Sequence, residues 1–217
     1  MAKLTWDDTG KRFYEMGNKY GVLFPTKDDG SYDTGVAWNG LTSVTLSPDG
    51  AEPNELWADN MKYAVLRSAE TLGLTIEAYT YPDEFNVCNG AVEAATGVYV
   101  RQQKRRPFGF CFRTEVGSDA KQDEGYKLHL IYGCTASPSD EDYETVNDSP
   151  DAMTFSWDVD TIPVVFEGHE PTSEIVIDSR VADPTKLKAL EDKLYGTAET
   201  EPTLPLPNEV ITMMKAA

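Results

Sequence analysis

The sequence is poor in the residues that catalytic and cofactor-binding proteins usually rely on. Histidine occurs only as His129 and His169. Neither has a Cys or a second His nearby, so the spacing of a zinc site is missing. The cysteines are Cys88, Cys111 and Cys134. An odd count without close pairs argues against a disulfide framework, and buried free thiols are the plainer reading. There is no G-x-S-x-G, no P-loop and no G-x-G-x-x-G opening a helix. No apolar run approaches the roughly eighteen residues of a membrane span. The opening MAKLTWDDTGKRFYEMG lacks the apolar stretch of a signal peptide, so the protein is expected to start in a cytosol. Positive charge is also scarce, with 19 Lys and Arg against 37 Asp and Glu and a net charge of −18. Such a surface repels nucleic acid and disfavours sequence-reading DNA or RNA binding.

What is present is strand alternation. In residues 71–79, Leu72, Leu74, Ile76 and Ala78 share one parity, which is a strand with one buried face. Pro82 then stops the ladder, and Asp83 and Glu84 beside Phe85 suit the first turn of a short helix. Phe108, Phe110 and Phe112 form an aromatic face, and Leu128, Leu130 and Tyr132 alternate in the run expected to pair with it. Met153, Phe155, Trp157 and Val159 give the clearest period of two. Residues 20–24 and 174–178 read as further strands. Residues 164–166 read as an edge piece after Pro163.

One stretch is plainly helical. Asp183 is placed to cap, Pro184 to start, Leu187, Leu190 and Leu194 to form the apolar stripe, and Gly196 to stop it. The expected fold is therefore mainly β (α+β), a sandwich or barrel-like core with one flanking helix. The whole of residues 1–217 reads as a single domain, with an N-terminal arm at 1–19 and a C-terminal extension at 197–217. Residues 36–69 read as a projecting hairpin. Its tip is expected at Ser47, Pro48, Asp49 and Gly50, which have turn chemistry, and continues through Ala51 and Glu52.

Candidate chemistry is thin. Asp158 with Asp160, or Glu77 among tyrosines, could form a carboxylate pair, but a chain this acidic produces such neighbours by chance. Asp28 with Asp29, and Asp140 with Glu141 and Asp142, lack EF-hand spacing. Trp6, Trp38, Trp57 and Trp157 could build a sugar-binding platform. Lys104, Arg105 and Arg106 form the only basic cluster, and pairing with the acidic surface of a neighbouring copy is the expected role. No catalytic residue, metal ligand or cofactor site stands out, and no enzymatic activity is expected.

The segments TIEAYTYPDEF, the QQ-x-R-x-x-FGF-CFRT run, GYKLHLIYG, ASPSDEDY, TVNDSPDAMTFSW, LEDKLYGT and LPLPNEV resemble major tail proteins. These are the tail tube subunits of long-tailed phages of Gram-positive bacteria. The resemblance covers residues 6–210 and lies in structural segments. It implies a β-sandwich or barrel-like fold with a flanking helix, and hexameric rings stacked into a hollow tube that delivers DNA. It also implies a place in the virion after assembly in the host cytoplasm. Implied partners are copies of the chain, a tape measure protein, a tail terminator and distal tail or baseplate proteins, with DNA passing through unbound. Pro48, Asp49, Gly50, Ala51 and Glu52 are the expected inter-ring contact, and the terminal arms are expected to order only in the tube. The alternatives are a virion surface or carbohydrate-binding module, the inner tube of a contractile injection particle, and a hydrolase using paired carboxylates.

Overall fold

Antiparallel pairing builds most of the molecule, in a computed structural model that describes residues 4–50, 53–143, 145 and 152–215. Strands β1 (Phe13–Pro25), β2 (Val36–Trp38), β3 (Leu41–Gly50), β4 (Pro53–Ala58), β5 (Met61–Arg67) and β6 (Glu70–Ala78) precede a one-turn helix, α1 (Phe85–Cys88). Then come β7 (Val92–Ala95), β8 (Val98–Val100), β9 (Phe108–Ser118), β10 (Gly125–Ala136), β11 (Phe155–Thr161) and β12 (Glu174–Asp178). Two helices follow, α2 (Pro184–Tyr195) and α3 (Pro207–Met214). The large sheet runs β2-β1-β9-β10-β11-β6-β3, with β12 also on β10.

Its two ends belong to one bent stretch of chain. Residues 36–38 pair with β1 through Gly21↔Trp38 and Leu23↔Val36, and the next strand pairs with β6 through Val44↔Ile76 and Leu46↔Leu74. Gly40, at φ 75°, makes the corner between them. The sheet therefore curls round on itself and encloses an apolar interior. The mainly β, sandwich-like fold expected from the alternation is the fold observed.

The interior is aromatic. Trp157 and Phe85 have ring centroids 5.1 Å apart, Trp38 and Phe85 4.6 Å, and Trp38 and Trp157 5.5 Å. Phe108, Phe110, Leu74 and Ile76 complete the wall around them. The Trp38 indole N–H donates to Thr80 O at 3.0 Å, so the buried ring keeps a partner for its one polar atom. Phe85 reaches this core from α1. Asp83 and Glu84 precede that helix instead of filling its first turn, and Glu84 at the cap makes no side-chain hydrogen bond.

A second core lies on the outer face of the same strands. Val22, Phe24, Cys111, Leu128, Leu130 and Tyr132 meet Leu187, Leu190 and Leu194 of α2. Strand β9 is thus buried on both sides, with its phenylalanines inward and Cys111 under the helix. The α2 helix forms as its sequence signals dictate. Asp183 accepts from the N–H groups of Thr185 (2.9 Å) and Lys186 (3.1 Å), Pro184 opens the first turn, and Gly196 ends it at φ 75°.

Strand β10 changes partner midway along one edge. It pairs with β12 from Lys127 to Ile131 and with β11 from Cys134 to Ala136. Gly133 sits at the change with φ 64°, and a Cβ there would lie 2.3 Å from the Ile162 carbonyl oxygen. Gly133→Ala therefore combines left-handed strain with a backbone clash, expected to cost on the order of 2–4 kcal/mol. Thermal unfolding followed by circular dichroism should show a fall in Tm of about 5–15 °C. An unchanged Tm would mean that this crossing of backbones is not needed for stability.

Three expectations are corrected. An N-terminal arm is expected over 1–19, but β1 begins at Phe13 and pairs with β9 through Phe13↔Ser118 to Met16↔Glu115. Its side chains there are mostly exposed, so the alternation that marks a strand is missing from the sequence. The tail does not wait for a neighbour. Pro202 O accepts from Gly35 N–H (2.9 Å), Thr203 N–H donates to Lys193 O (2.8 Å), and the Tyr132 hydroxyl donates to Pro205 O (3.0 Å). Leu204 and Val210 are buried in the outer core, and α3 is a second full flanking helix.

The third correction concerns residues 47–50, expected as a turn. They are ladder, with Ser47↔Gly73, Pro48↔Leu72, Asp49↔Thr71 and Gly50↔Glu70. Strand β3 ends the sheet order at that side, and an edge position tolerates a proline that donates no hydrogen bond.

Candidate assembly surface

Beyond the end of the β3–β6 ladder the chain makes a separate two-stranded sheet, β4–β5. Its register runs Asn54↔Leu66, Leu56↔Ala64, Trp57↔Lys62 and Ala58↔Met61. The turn is Asp59-Asn60, both left-handed at φ 50° and 61°, the conformation that matches strand twist in a two-residue hairpin. The long hairpin expected at 36–69 is present in this sense, but its tip is Asp59-Asn60. Pro48, Asp49 and Gly50 lie back in the ladder, while Ala51 and Glu52 lie outside the described residues. The signal was legible: an Asp-Asn pair between two alternating runs, outranked by the stronger turn chemistry of Pro48 and Gly50.

Large apolar side chains stand on both faces of this hairpin. Met61, Tyr63 and Val65 share one parity of β5, while Leu66 has the other and Leu56 lies opposite Ala64. All five are exposed, Tyr63 at 74%, and Trp57 at 64% flanks the turn. The Lys62 ammonium pairs with Glu55 and lies 5.8 Å from the Trp57 ring centroid, which ties the two strands together. An isolated two-stranded ribbon is marginal in water. This one leaves both edges and both faces open to a partner. The β7–β8 hairpin repeats the pattern on a smaller scale, exposing Val92, Val98, Tyr99 and Val100.

The basic cluster acts within the chain. Arg105 donates to the carbonyls of Ala136 and Ser137 (both 3.0 Å) and to Asn89 Oδ1 (3.2 Å), and Arg106 donates to Asp28 (2.9 Å). Arg101 pairs with Glu141, which holds that carboxyl below its usual range. Arg105 and Arg106 thus fasten the loop before β9 to their own domain. Lys104 is exposed, and Arg106 and its partner Asp28 also keep exposed side chains.

The remaining candidates have local partners. His129 is buried between Glu174 (Nδ1 to Oε1, 2.8 Å) and Thr114 (Nε2 to Oγ1, 3.3 Å), with its ring stacked on Phe112. His169 stacks on Phe166. Asp158 accepts from Thr75 and Asp160 from Ser137 on an exposed strand face, and Glu77 accepts from Ser43. Asp29 is taken by Ser31. Among the described residues, no group of three or more His, Cys, Asp or Glu side chains is arranged to hold a metal ion. Trp38 and Trp157 are core residues, whereas Trp6 and Trp57 are exposed, so the four do not form one platform.

Cys88, Cys111 and Cys134 are buried and unbonded to one another. Burial pushes the Cys88 thiol up to about 12 and the other two higher still. Reaction needs the thiolate, so native protein at pH 8 should leave a chromogenic disulfide reagent unreacted over minutes. The same protein in guanidinium should release all three equivalents promptly. Fast reaction of the native protein would show that these cores open on that timescale.

Among the described residues, no helix is long and apolar enough to cross a membrane. No family model matches the chain, and a search of curated proteins finds no match.

Proposed function

We propose that the chain is a structural subunit that assembles with copies of itself into stacked hexameric rings, forming the hollow tail tube of a long-tailed phage. The observation that carries this reading is the β4–β5 hairpin, a projecting ribbon apolar on both faces. Exposed patches of this kind mark interaction sites. Half-covering each of its large side chains would contribute on the order of 1 kcal/mol per residue. A hairpin meeting a different surface of the next copy makes a contact that repeats, which builds rings and open-ended stacks instead of closed pairs.

Two further observations support the reading. The curled antiparallel sheet with flanking helices matches the architecture that the resemblance to tail tube subunits implies. The net charge of −18 suits the wall of a channel through which DNA must slide. Phosphates are repelled by it, whereas Lys and Arg contacts would add affinity and drag. In this reading the partners are the chain itself, the tape measure, the terminator and the distal tail proteins, and the location is the virion.

Negative-stain electron microscopy of concentrated protein, with and without added salt, tests it. Salt screens repulsion between acidic subunits and should favour rings and hollow tubes. A monodisperse monomer at every concentration and ionic strength would overturn self-assembly.

A further inference from the structure

Two small ribbons hang from opposite ends of one ladder. The β3–β6 ladder runs from Leu41↔Ala78 at one end to Gly50↔Glu70 at the other, a span of about 30 Å for a strand of this length. The β4–β5 hairpin leaves from the Gly50/Glu70 end. The β7–β8 ribbon follows α1 at the Ala78 end, where Phe85 packs on Trp38 and Phe108. Its base is pinned there, because Gln103 N–H donates to Gly90 O (2.9 Å) and Arg106 N–H to Val87 O (3.1 Å). Each ribbon is a two-stranded sheet of its own.

Their exposed faces match in kind. Val92 lies opposite Val100, and Val98 shares the parity of Val100, so three valines stand on one face of β7–β8, each 44–54% exposed. Met61, Tyr63 and Val65 stand on one face of β5, and Arg67 continues that parity. Two-stranded ribbons are marginal alone, and packing face on face is how sheets bury such side chains. The unpaired charges match as well. Among the described residues, Asp59 at the hairpin tip and Arg67 at its base have no ion-pair partner, and neither have Lys104 at the ribbon base and Glu93 towards the ribbon tip. Glu93 accepts from the Gly97 N–H at that tip (2.9 Å) and is the first cause that pushes the Tyr99 phenol up, the mark of an acid with no cation beside it. Arg101, which follows β8 directly, is taken by Glu141.

We infer that the valine face of β7–β8 receives the Met61, Tyr63 and Val65 face of the hairpin from a second copy of the chain. The two ribbons overlap from opposite directions, so the hairpin tip reaches the ribbon base and the ribbon tip reaches the hairpin base. Asp59 then meets Lys104, and Arg67 meets Glu93. The reverse orientation would set Asp59 beside Glu93 and Arg67 beside Lys104, like charge against like, and is disfavoured. This deepens the self-assembly reading and rests on it, because it names where the hairpin goes. Hairpin and ribbon are attached at opposite ends of the ladder, so each copy gives one and receives one, and the contact repeats head to tail.

Two variants and a cross-link test the pairing. The hairpin variant is Tyr63→Asp with Arg67→Glu, and the ribbon variant is Val98→Asp with Val100→Asp, all at exposed positions. Circular dichroism melts first establish that both fold. Sedimentation velocity should then find wild-type protein in rings or longer assemblies, and each variant alone still monomeric at concentrations on the order of thirtyfold higher. The cross-link leaves both faces largely intact. The native thiols are buried, so Tyr63→Cys with Val98→Cys in one chain adds the two accessible ones. A short bis-maleimide should convert this protein, when concentrated, into a ladder of oligomers, and either cysteine alone should give no cross-link. Wild-type-like assembly of the ribbon variant, cross-linked dimers from either cysteine alone, or no ladder from the pair while wild type assembles, overturns the pairing and leaves the tube reading standing. Wild type that never assembles overturns both.

Discussion

Excising Pro53–Arg67 and closing the gap with a short Gly-Ser turn should abolish assembly while leaving the subunit folded. These strands form their own sheet, and their large side chains face solvent. Removing them takes away no core contact and should change stability by no more than about 0.5 kcal/mol. That amounts to roughly 1–2 °C in Tm for a domain of this size. The shortened protein keeps the rest of its surface, including whatever face receives the hairpin of a neighbour, so adding it to wild type should cap growing assemblies and shorten them in proportion to its fraction. Sedimentation for assembly and circular dichroism for stability report the two effects separately. Normal tubes from the shortened chain would remove the hairpin from any account of assembly. A shorter excision around Pro48 is a poor test of the same idea, because Pro48, Asp49 and Gly50 are rungs of the β3–β6 ladder.

Trp157→Ala should have the largest effect on stability of any single core truncation. Trp157 is 2% exposed and packs against Trp38, Tyr81, Phe85 and Phe155, so the cavity left behind is walled by rigid rings that cannot collapse into it. Such a truncation costs about 3–5 kcal/mol, against about 5–15 kcal/mol for a typical domain. The urea midpoint should fall by at least 1 M, given a slope of about 1–3 kcal/mol per molar. Val176→Ala, on the exposed side of β12, is the control and should move the midpoint little. A midpoint for Trp157→Ala close to that of the control would mean that the aromatic interior is not the main source of stability. Since the hairpin folds apart from this core, any loss of assembly in Trp157→Ala should track unfolding, whereas the hairpin excision loses assembly without unfolding.

Local pattern determined a good part of this structure. The period of two in residues 72–78 and 155–159 requires a face to bury, and those residues line the interior. The cap, proline, leucine stripe and glycine of α2 each act within a few residues of chain, so they read correctly without tertiary information. The same holds for the buried free thiols.

Only the tertiary structure decided matters that depend on which strand lies beside which. The exposed start of β1 carries no alternation and becomes strand because β9 offers it hydrogen-bond partners. Pro48 and Gly50 have turn chemistry, but Pro48 is held in the ladder opposite Leu72 and Gly50, at φ 96°, closes it opposite Glu70, which moves the tip on to Asp59-Asn60. Arg105, in the one basic cluster, is drawn onto the carbonyls of Ala136 and Ser137, some thirty residues away in sequence. Leu204 and Val210, in a proline-rich tail, find a core formed by α2 and the outer face of the sheet. In each case a distant segment supplies the competing partner, and long-range pairing outweighs a local preference of about 1 kcal/mol or less.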